Sequence, residues 1–250
     1  MQIAEYDALE RVEREHWFYK GKRLLVRWWI ERAAHLDAGD RILDAGAGTG
    51  ELVRELGGMY EHKGISVIGI EYSAEGRRLA RERKGTDLLE GSILDLPLRD
   101  ESCAVTIALD VLEHVEEDAR AFAEMLRITK PGGLLIINVP AFMSLWSDWD
   151  VSLGHFRRYT KRKFRDRVQA QLRPAPYEVV YLDYINVFAF PAIWLYRKVA
   201  RLVRLTSRAE DKIPSPRVNA LMMKLFVEPS KALWFHPPFG VSLFIVLRKK

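Results

Sequence analysis

The chain has 250 residues, enough for one large α/β domain with a cap, and its 48% hydrophobic content can fill a substantial core. The longest apolar run, 187–196, is too short to cross a bilayer, and a single cysteine excludes an internal disulfide. The net charge of +5 is divided unevenly: residues 1–140 carry 19 basic and 26 acidic side chains, a net of −7, whereas residues 141–250 carry 20 and 8, a net of +12. An acidic start without an apolar segment, together with the lone Cys103, predicts a cytoplasmic protein.

The first 140 residues predict a helical cap followed by alternating strands and helices. One or two helices over residues 5–36 form the cap, which we assign to residues 1–40. The strands that follow are predicted at 41–45, 65–71, 87–90, 103–109 and 134–139, and the helices at 51–56, 74–83 and 116–129. The last helix should stop at the Lys-Pro-Gly-Gly segment 130–133. Such alternation is typical of an α/β, Rossmann-like, doubly wound parallel sheet.

The pattern changes after Pro140. An irregular, aromatic and polar segment occupies residues 141–160. After it come a basic helix at 161–172, a strand at 177–182, a helix at 187–205, a polar linker at 206–216, a helix at 218–233 and a strand at 239–247. We place the last strand antiparallel between the fifth and the sixth, which gives the sheet order 3-2-1-4-5-7-6. Residues 187–235 then form a helical insertion before the last strand.

The glycine-rich turn after the first strand is the strongest sign of a binding site. Asp44 ends an apolar run and is followed by Gly46, Gly48 and Gly50, before a segment with helical spacing. Glycines permit positive φ and let a ligand lie against bare backbone. Dinucleotide-binding turns use G-x-G-x-x-G and face a pyrophosphate, which Asp44 would repel. The spacing G-x-G-x-G with a preceding acid favours a cationic ligand, although a structural turn without a ligand has the same glycines.

Four segments together resemble class I S-adenosylmethionine (SAM)-dependent methyltransferases. These are Asp-Ala-Gly-Ala-Gly-Thr-Gly at 44–50, Gly-Ser-Ile-Leu-Asp-Leu-Pro-Leu at 91–98, Leu-Asp-Val-Leu-Glu-His-Val at 109–115 and Lys-Pro-Gly-Gly-Leu-Leu-Ile at 130–136. The resemblance covers most of the chain. It implies a methyltransferase that uses SAM as cofactor and releases S-adenosyl-L-homocysteine.

The same resemblance assigns the cofactor contacts. It implies that Asp44, Gly46 and Gly48 face the amino-acid end of SAM, and that Glu71 accepts hydrogen bonds from the ribose hydroxyls. Tyr72 covers the adenine. Ser92 stands where the family usually has an Asp for the adenine amino group, a contact that Asp95 or the Ile93 amide can replace. Asp110 lines the methionine part.

Four further segments resemble a narrower bacterial and archaeal subgroup of the family. They are His-Trp-Phe-Tyr-Lys-Gly-Lys-Arg at 16–23, Leu-Trp-Ser-Asp-Trp-Asp at 145–150, Gly-His-Phe-Arg-Arg-Tyr-Thr at 154–160 and Pro-Phe-Gly-Val-Ser-Leu at 238–243. Trp149 departs from this pattern, because the subgroup often has His there. The subgroup implies the reaction type and leaves the acceptor open.

The 141–160 segment should overhang the methyl group and supply the acceptor site. His155, Asp150 and Tyr159 are the candidate catalytic residues, since a histidine accepts a proton near neutral pH. The candidate acceptor-binding residues are Arg157, Arg158 and Trp146. The competing interpretation is that His155 only ties the loop to Asp150 and that the arginines are surface charge.

Two further expectations concern the cap and metal binding. Trp17, Phe18 and Tyr19 can close over the cofactor, with Lys20 or Arg23 near its carboxylate, or they can simply pack on the sheet. No metal site is predicted, because the sequence lacks H-E-x-x-H and cysteine pairs.

The predicted function is methyl transfer to an O or N atom of a small or lipid-linked, anionic acceptor. An RNA methyltransferase is an alternative. This sequence has no N-P-P-Y motif after the fourth strand, which counts against a nucleic-acid acceptor. A membrane-surface SAM-binding protein is another, because the basic helix 187–205 suits peripheral contact with anionic lipid. A nicotinamide dehydrogenase would need the other glycine spacing. No obligate protein partner is expected.

Overall fold

The computed structural model describes residues 3–168, 176–202 and 212–250. Seven strands form a single sheet: β1 (Arg41–Ala45), β2 (Ser66–Glu71), β3 (Leu89–Glu90), β4 (Cys103–Leu109), β5 (Thr129–Pro140), β6 (Tyr177–Ile185) and β7 (Ser242–Lys249). Their order is β3-β2-β1-β4-β5-β7-β6. The first five strands pair in parallel, and β7 lies antiparallel between β5 and β6. The predicted order and the antiparallel last strand are therefore confirmed.

Helices cover both faces of this sheet. They are α1 (Ile3–Glu13), α2 (Trp17–Ala33), α3 (Glu51–Tyr60), α4 (Ala74–Lys84), α5 (Asp118–Ile128), α6 (Asp148–Ser152), α7 (Lys161–Val168), α8 (Phe190–Leu202) and α9 (Pro216–Lys231). The predicted ends of two helices, 169–172 and 203–205, and the linker residues 206–211 lie outside the described residues.

The strands are apolar on both faces because each face has its own core. Within β1, Leu43 packs into the core beneath α5, whereas its neighbour Ile42 packs into the core beneath α2, α3 and α9. Phe122 of α5 and Phe226 of α9 are among the largest fully buried side chains of the two layers. Successive strand residues point to opposite faces, so a run of buried apolar residues is required here.

Several boundaries differ from the predicted ones, and three of these differences have a clear local reason. Strand β5 begins at Thr129 rather than residue 134, because Thr129 already pairs with Cys103 before the 130–133 segment bulges out of the ladder. Helix α8 begins at Phe190 rather than 187, after a turn in which Asn186 has φ +59°. Strand β7 begins at Ser242 rather than 239, since the preceding Gly240 packs too tightly on Ile185 to carry a side chain.

Candidate functional site

A cavity of about 950 Å³ opens at the carboxyl ends of β1, β2 and β4. Ligands of open α/β folds bind at this edge of the sheet. All eight predicted cofactor residues line the cavity: Asp44, Gly46, Gly48, Glu71, Tyr72, Ser92, Ile93 and Asp110. Side chains of α1, α2, α8 and the 141–160 segment line its other walls.

The glycine turn adopts the backbone that its sequence predicts. Gly46, Gly48 and Gly50 have φ values of +84°, +57° and +79°. A Cβ on Gly46 would lie 2.6 Å from the Val111 side chain, whereas one on Gly48 would meet only Leu9, at 3.8 Å. Gly48 therefore presents bare backbone to the open cavity, and Gly46 is required by packing as well as by φ.

The two acids at the strand ends have different environments. Asp44 is almost fully buried and accepts no hydrogen bond from the described residues. Burial, followed by the charges of Glu71 and Glu13, raises its pKa to about 7. Glu71 accepts hydrogen bonds from the Gly48 amide at 2.8 Å and the Tyr6 hydroxyl at 3.0 Å. Asp44 is therefore a buried carboxylate that a cationic ligand would stabilise, while Glu71 is held in place by α1 and the glycine turn.

Asp110 joins the cap to the sheet. It has φ +55°, its Oδ1 accepts a hydrogen bond from Asn138 Nδ2 at 2.6 Å, and Lys22 of α2 forms an ion pair with its Oδ2. Lys22 also lies over the Phe18 ring, 4.2 Å from its centroid. Of the cap cations, Lys22 and Arg23 line the cavity and Lys20 does not. Arg23 also donates a hydrogen bond to the carbonyl of Glu13, at 2.6 Å.

The adenine-side residues form an open wall. The Ser92 hydroxyl accepts a hydrogen bond from the Leu94 amide at 3.2 Å, which shapes the turn beside Ile93. Tyr72 is 78% exposed, and Asp95 lies outside the cavity lining. Ser92 and Ile93 reach the cavity together with their neighbours Gly91 and Leu94.

Asp150 organises the 141–160 segment. It is completely buried and binds Arg158 Nε at 2.7 Å and His155 Nδ1 at 2.9 Å. Burial opposes ionisation, but the hydrogen bonds from His155 and Arg158 hold the pKa of Asp150 well below its usual range. Asp150 is therefore a fixed anion that orients its neighbours, and Arg197 of α8 approaches it at 3.6 Å.

The predicted residues of this segment divide into two groups. His155 and Arg158 line the cavity, as does Trp149. Trp146, Arg157, Tyr159 and Asp150 are outside the lining residues. Arg157 binds the Val115 carbonyl at 2.9 Å.

Tyr159 points into the core beneath α5. Its hydroxyl donates a hydrogen bond to Asp118 at 2.8 Å, and burial, followed by the Asp118 charge, raises its pKa. The segment is extended here, so Arg158 and Tyr159 face opposite sides, and only Arg158 reaches the cavity.

Glu113 and His114 lie at the floor of the same cavity, beside His155. The Glu113 side chain is fully buried, and neither carboxylate oxygen has a hydrogen-bond partner among the described residues. The rings of His114 and His155 meet edge to face, with centroids 4.6 Å apart. Burial and then His155 lower the pKa of His114 to about 4. In the sequence, Glu113 stood out only as a member of the segment 109–115.

Sequence reasoning missed Lys22 and Arg197 as cavity residues. Both lie on helices whose charge pattern resembles a surface pattern, yet both are buried by contacts distant in the chain. The density of aromatic and basic residues at 16–23 was the available signal for Lys22. No sequence signal distinguished Arg197 from the other basic residues of its helix.

Comparisons with known proteins agree with this geometry. Residues 43–137 match the family described as a methyltransferase domain. A probable SAM-dependent methyltransferase of Mycolicibacterium smegmatis is 27% identical over 180 residues, or 70% of this chain and 64% of that protein. The demethylmenaquinone methyltransferase of Renibacterium salmoninarum is 38% identical over 101 residues, 40% of each chain. The chain spans less than two thirds of the length of these curated relatives.

Solved structures match the fold along nearly the whole chain. A SAM-dependent methyltransferase from Thermotoga maritima has a TM-score of 0.59 at 21% identity, and covers 99% of this chain and 96% of its own. A Haloferax volcanii methyltransferase solved with its Trm112 activator has a TM-score of 0.56 at 20% identity, with 98% and 97% covered. The family match over residues 43–137 and the relatives, together with this fold, support a class I methyltransferase domain in this part of the chain, with SAM as its cofactor.

Proposed function

We propose that the protein transfers the methyl group of SAM to an oxygen or nitrogen atom of a small or lipid-linked, anionic acceptor. The observation that carries the proposal is the continuity of one cavity, which joins Asp44 and the glycine turn to His155 and the apolar α8. SAM is a sulfonium and already has a good leaving group. The protein's task is therefore to align the acceptor with the methyl group and to exclude water.

The parts of the chain divide this task in our proposal. Residues 41–140 bind SAM through the eight predicted contacts, and residues 1–40 close over it. Residues 141–250, including the helical insertion at 187–235, form the acceptor side. There Ile193 and Tyr196 give an apolar wall and Lys212 a positive charge.

We propose that the 141–160 segment acts on the acceptor's proton through His155. It faces the cavity, and its Nδ1 is bonded to Asp150 Oδ1 at 2.9 Å, which leaves Nε2 directed away from that carboxylate. Asp150 is a positioning residue in this arrangement. Tyr159, Arg157 and Trp146 support the loop, because their side chains lie outside the cavity lining.

A lipid-linked acceptor is favoured by exposed apolar side chains beside the site. Trp194, Leu195 and Val199 of α8 are exposed, and Leu195 and Val199 are one helical turn apart. The demethylmenaquinone methyltransferase relative acts, by its name, on a quinone of this apolar kind. In the described part of the chain, no helix has the length and apolar character needed to cross a bilayer. From the exposed apolar residues of α8 and the net charge of +12 on residues 141–250, we propose that the protein also contacts an anionic membrane peripherally.

The test supplies SAM labelled in its methyl group to the protein together with a cell extract separated into lipid, small-molecule and RNA fractions. We expect label in the lipid or small-molecule fraction, and its loss in Asp44→Asn, which cannot neutralise a cationic cofactor. Label in RNA would support the nucleic-acid alternative instead. No transfer to any fraction, despite tight SAM binding, would favour a non-enzymatic SAM-binding protein.

A further inference from the structure

The floor of the cavity holds three side chains of the kinds that bind transition metals. One ligand-type atom each from Glu113, His114 and His155 lies within 4.8 Å of the other two. Zinc holds nitrogen and oxygen ligands at ~2.0–2.2 Å, which puts two tetrahedral ligands ~3.3–3.6 Å apart. Small side-chain rotations therefore bring all three atoms onto one ion.

The Glu113 carboxylate is an independent sign of a missing positive partner. The side chain is 0% exposed, and both carboxylate oxygens are buried without a hydrogen-bond donor among the described residues. A buried carboxyl without a partner is ionised only where a cation is supplied, and buried charges in proteins are therefore paired or coordinate metals. Lys22, the ammonium nearest the acids at this edge, is already paired with Asp110.

Both histidines are oriented as metal ligands usually are. A histidine that binds a metal commonly donates its other ring N–H to a carboxylate or a backbone carbonyl. His155 Nδ1 lies 2.9 Å from Asp150 Oδ1, and Arg158 fixes that carboxylate. His114 hydrogen-bonds the backbone of Leu153. His155 thus has its Nδ1 engaged outside the cluster, and His114 has a backbone partner outside it.

We propose that Glu113, His114 and His155 bind one divalent transition-metal ion of the zinc type in the acceptor part of the cavity. Two imidazoles and one carboxylate suit such an ion better than Mg²⁺ or Ca²⁺, which prefer oxygen ligands. Three protein ligands leave a coordination position open, as in catalytic rather than structural zinc sites.

The role of this ion rests on the proposed function. An acceptor hydroxyl in the open position would lose its proton to water more readily, as water bound to zinc does. The resulting oxygen anion attacks the methyl carbon, the carbon–sulfur bond breaks, and its electron pair stays on sulfur. In this arrangement His155 holds the ion rather than taking the proton itself, and the site favours an oxygen acceptor over a nitrogen one.

The test uses the full-length, tag-free protein, stripped with a chelator and titrated with Zn²⁺, with Mg²⁺ as a comparison. We expect one Zn²⁺ per chain and at least tenfold weaker binding in Glu113→Gln and His155→Gln. The matched control is His236→Gln, because His236 also pairs with an aspartate, Asp183, at 2.6 Å but lies outside the cluster. Its affinity should equal that of the unaltered protein.

A second measurement separates metal binding from folding. Added Zn²⁺ should raise the melting temperature of the unaltered protein and leave that of Glu113→Gln unchanged. SAM binding by each stripped variant shows that it is folded and tests the proposed function separately. The proposal is overturned if Zn²⁺ does not bind stoichiometrically, or if both cluster variants bind it like the unaltered protein.

Discussion

The properties of individual residues in the cavity follow from their partners more than from residue type. Asp44 and Asp150 are both buried aspartates, yet the pKa of Asp44 is raised to about 7, and that of Asp150 is held well below its usual range. The difference lies in their partners. Asp150 binds His155 and Arg158, whereas the charges that act on Asp44 are those of Glu71 and Glu13. Asp44 is therefore the residue whose protonation is tied to a positively charged ligand.

The affinity for SAM should depend on pH through Asp44. Below pH 7 the carboxyl is increasingly protonated and cannot neutralise a cation. Affinity should then fall by about tenfold for each pH unit below 7 and level off above it. Calorimetry with SAM between pH 5.5 and 8.5 measures this. Asp44→Asn is the control, and its weak binding should not follow this titration.

In the ligand-free protein, the contribution of Asp44 to stability should instead fall as the pH rises. The folded pKa of Asp44 lies above its unfolded value of about 3.9, so the protonated form is favoured in the folded state. Its contribution to stability is complete below the unfolded pKa and is lost as the pH rises through 7. Ligand-free Asp44→Asn should therefore melt at a higher temperature than the unaltered protein at pH 8. An equal or lower melting temperature would contradict this account of the site.

At the scale of elements, α1 and α2 are attached to the site by polar contacts. Tyr6 of α1 bonds Glu71 at the end of β2, and Lys22 of α2 pairs with Asp110 after β4. The cap therefore touches the two strand ends that flank β1. We expect ligand binding and cap docking to stabilise each other.

Replacing Lys22 tests this coupling. Lys22→Met removes a nearly buried ion pair and should lower the free energy of unfolding by about 1–3 kcal/mol. Lys20→Met is the matched control on the same helix. Its exposed pair with Glu15, at 3.6 Å, should contribute less than about 0.5 kcal/mol. Urea denaturation measures both, and equal effects would show that Lys22 does not hold the cap.

The sequence predicted elements better than contacts between them. Hydrophobic runs and glycines are local signals, so β1, β4 and the glycine turn were located correctly. The Lys22–Asp110 pair spans 88 positions, and no local pattern distinguishes it from the exposed pair at Lys20. In the 141–160 segment, the motif indicated the right loop, but its backbone direction decides that Arg158 faces the cavity and Arg157 does not.

At the scale of the whole molecule, charge and exposed apolar surface are both concentrated in the second half. Residues 141–250 carry a net charge of +12, and the exposed residues Trp194, Leu195 and Trp234 lie in the same half. Arg197 of the basic helix is buried against Asp150, so α8 presents a more apolar outer face than its sequence suggests. Together these features favour binding to a partner whose surface is both anionic and apolar.

Binding to lipid vesicles tests that surface. The protein should sediment with anionic vesicles, and raising the salt concentration should weaken the binding because the attraction is partly electrostatic. The double substitution Trp194→Ser and Leu195→Ser should release the protein. Leu89→Ser is the control, because Leu89 is also exposed but lies on β3, away from α8. Equal binding by both variants would place any lipid contact elsewhere.

Calorimetry with SAM, S-adenosyl-L-homocysteine and NAD tests the central claim most directly, namely that the cavity framed by Asp44, Glu71 and the glycine turn binds SAM. The expected result is one site per chain for SAM and for its demethylated product, no heat with NAD, and loss of SAM binding in Asp44→Asn. Binding of NAD without binding of SAM, or SAM binding that Asp44→Asn leaves unchanged, would contradict it.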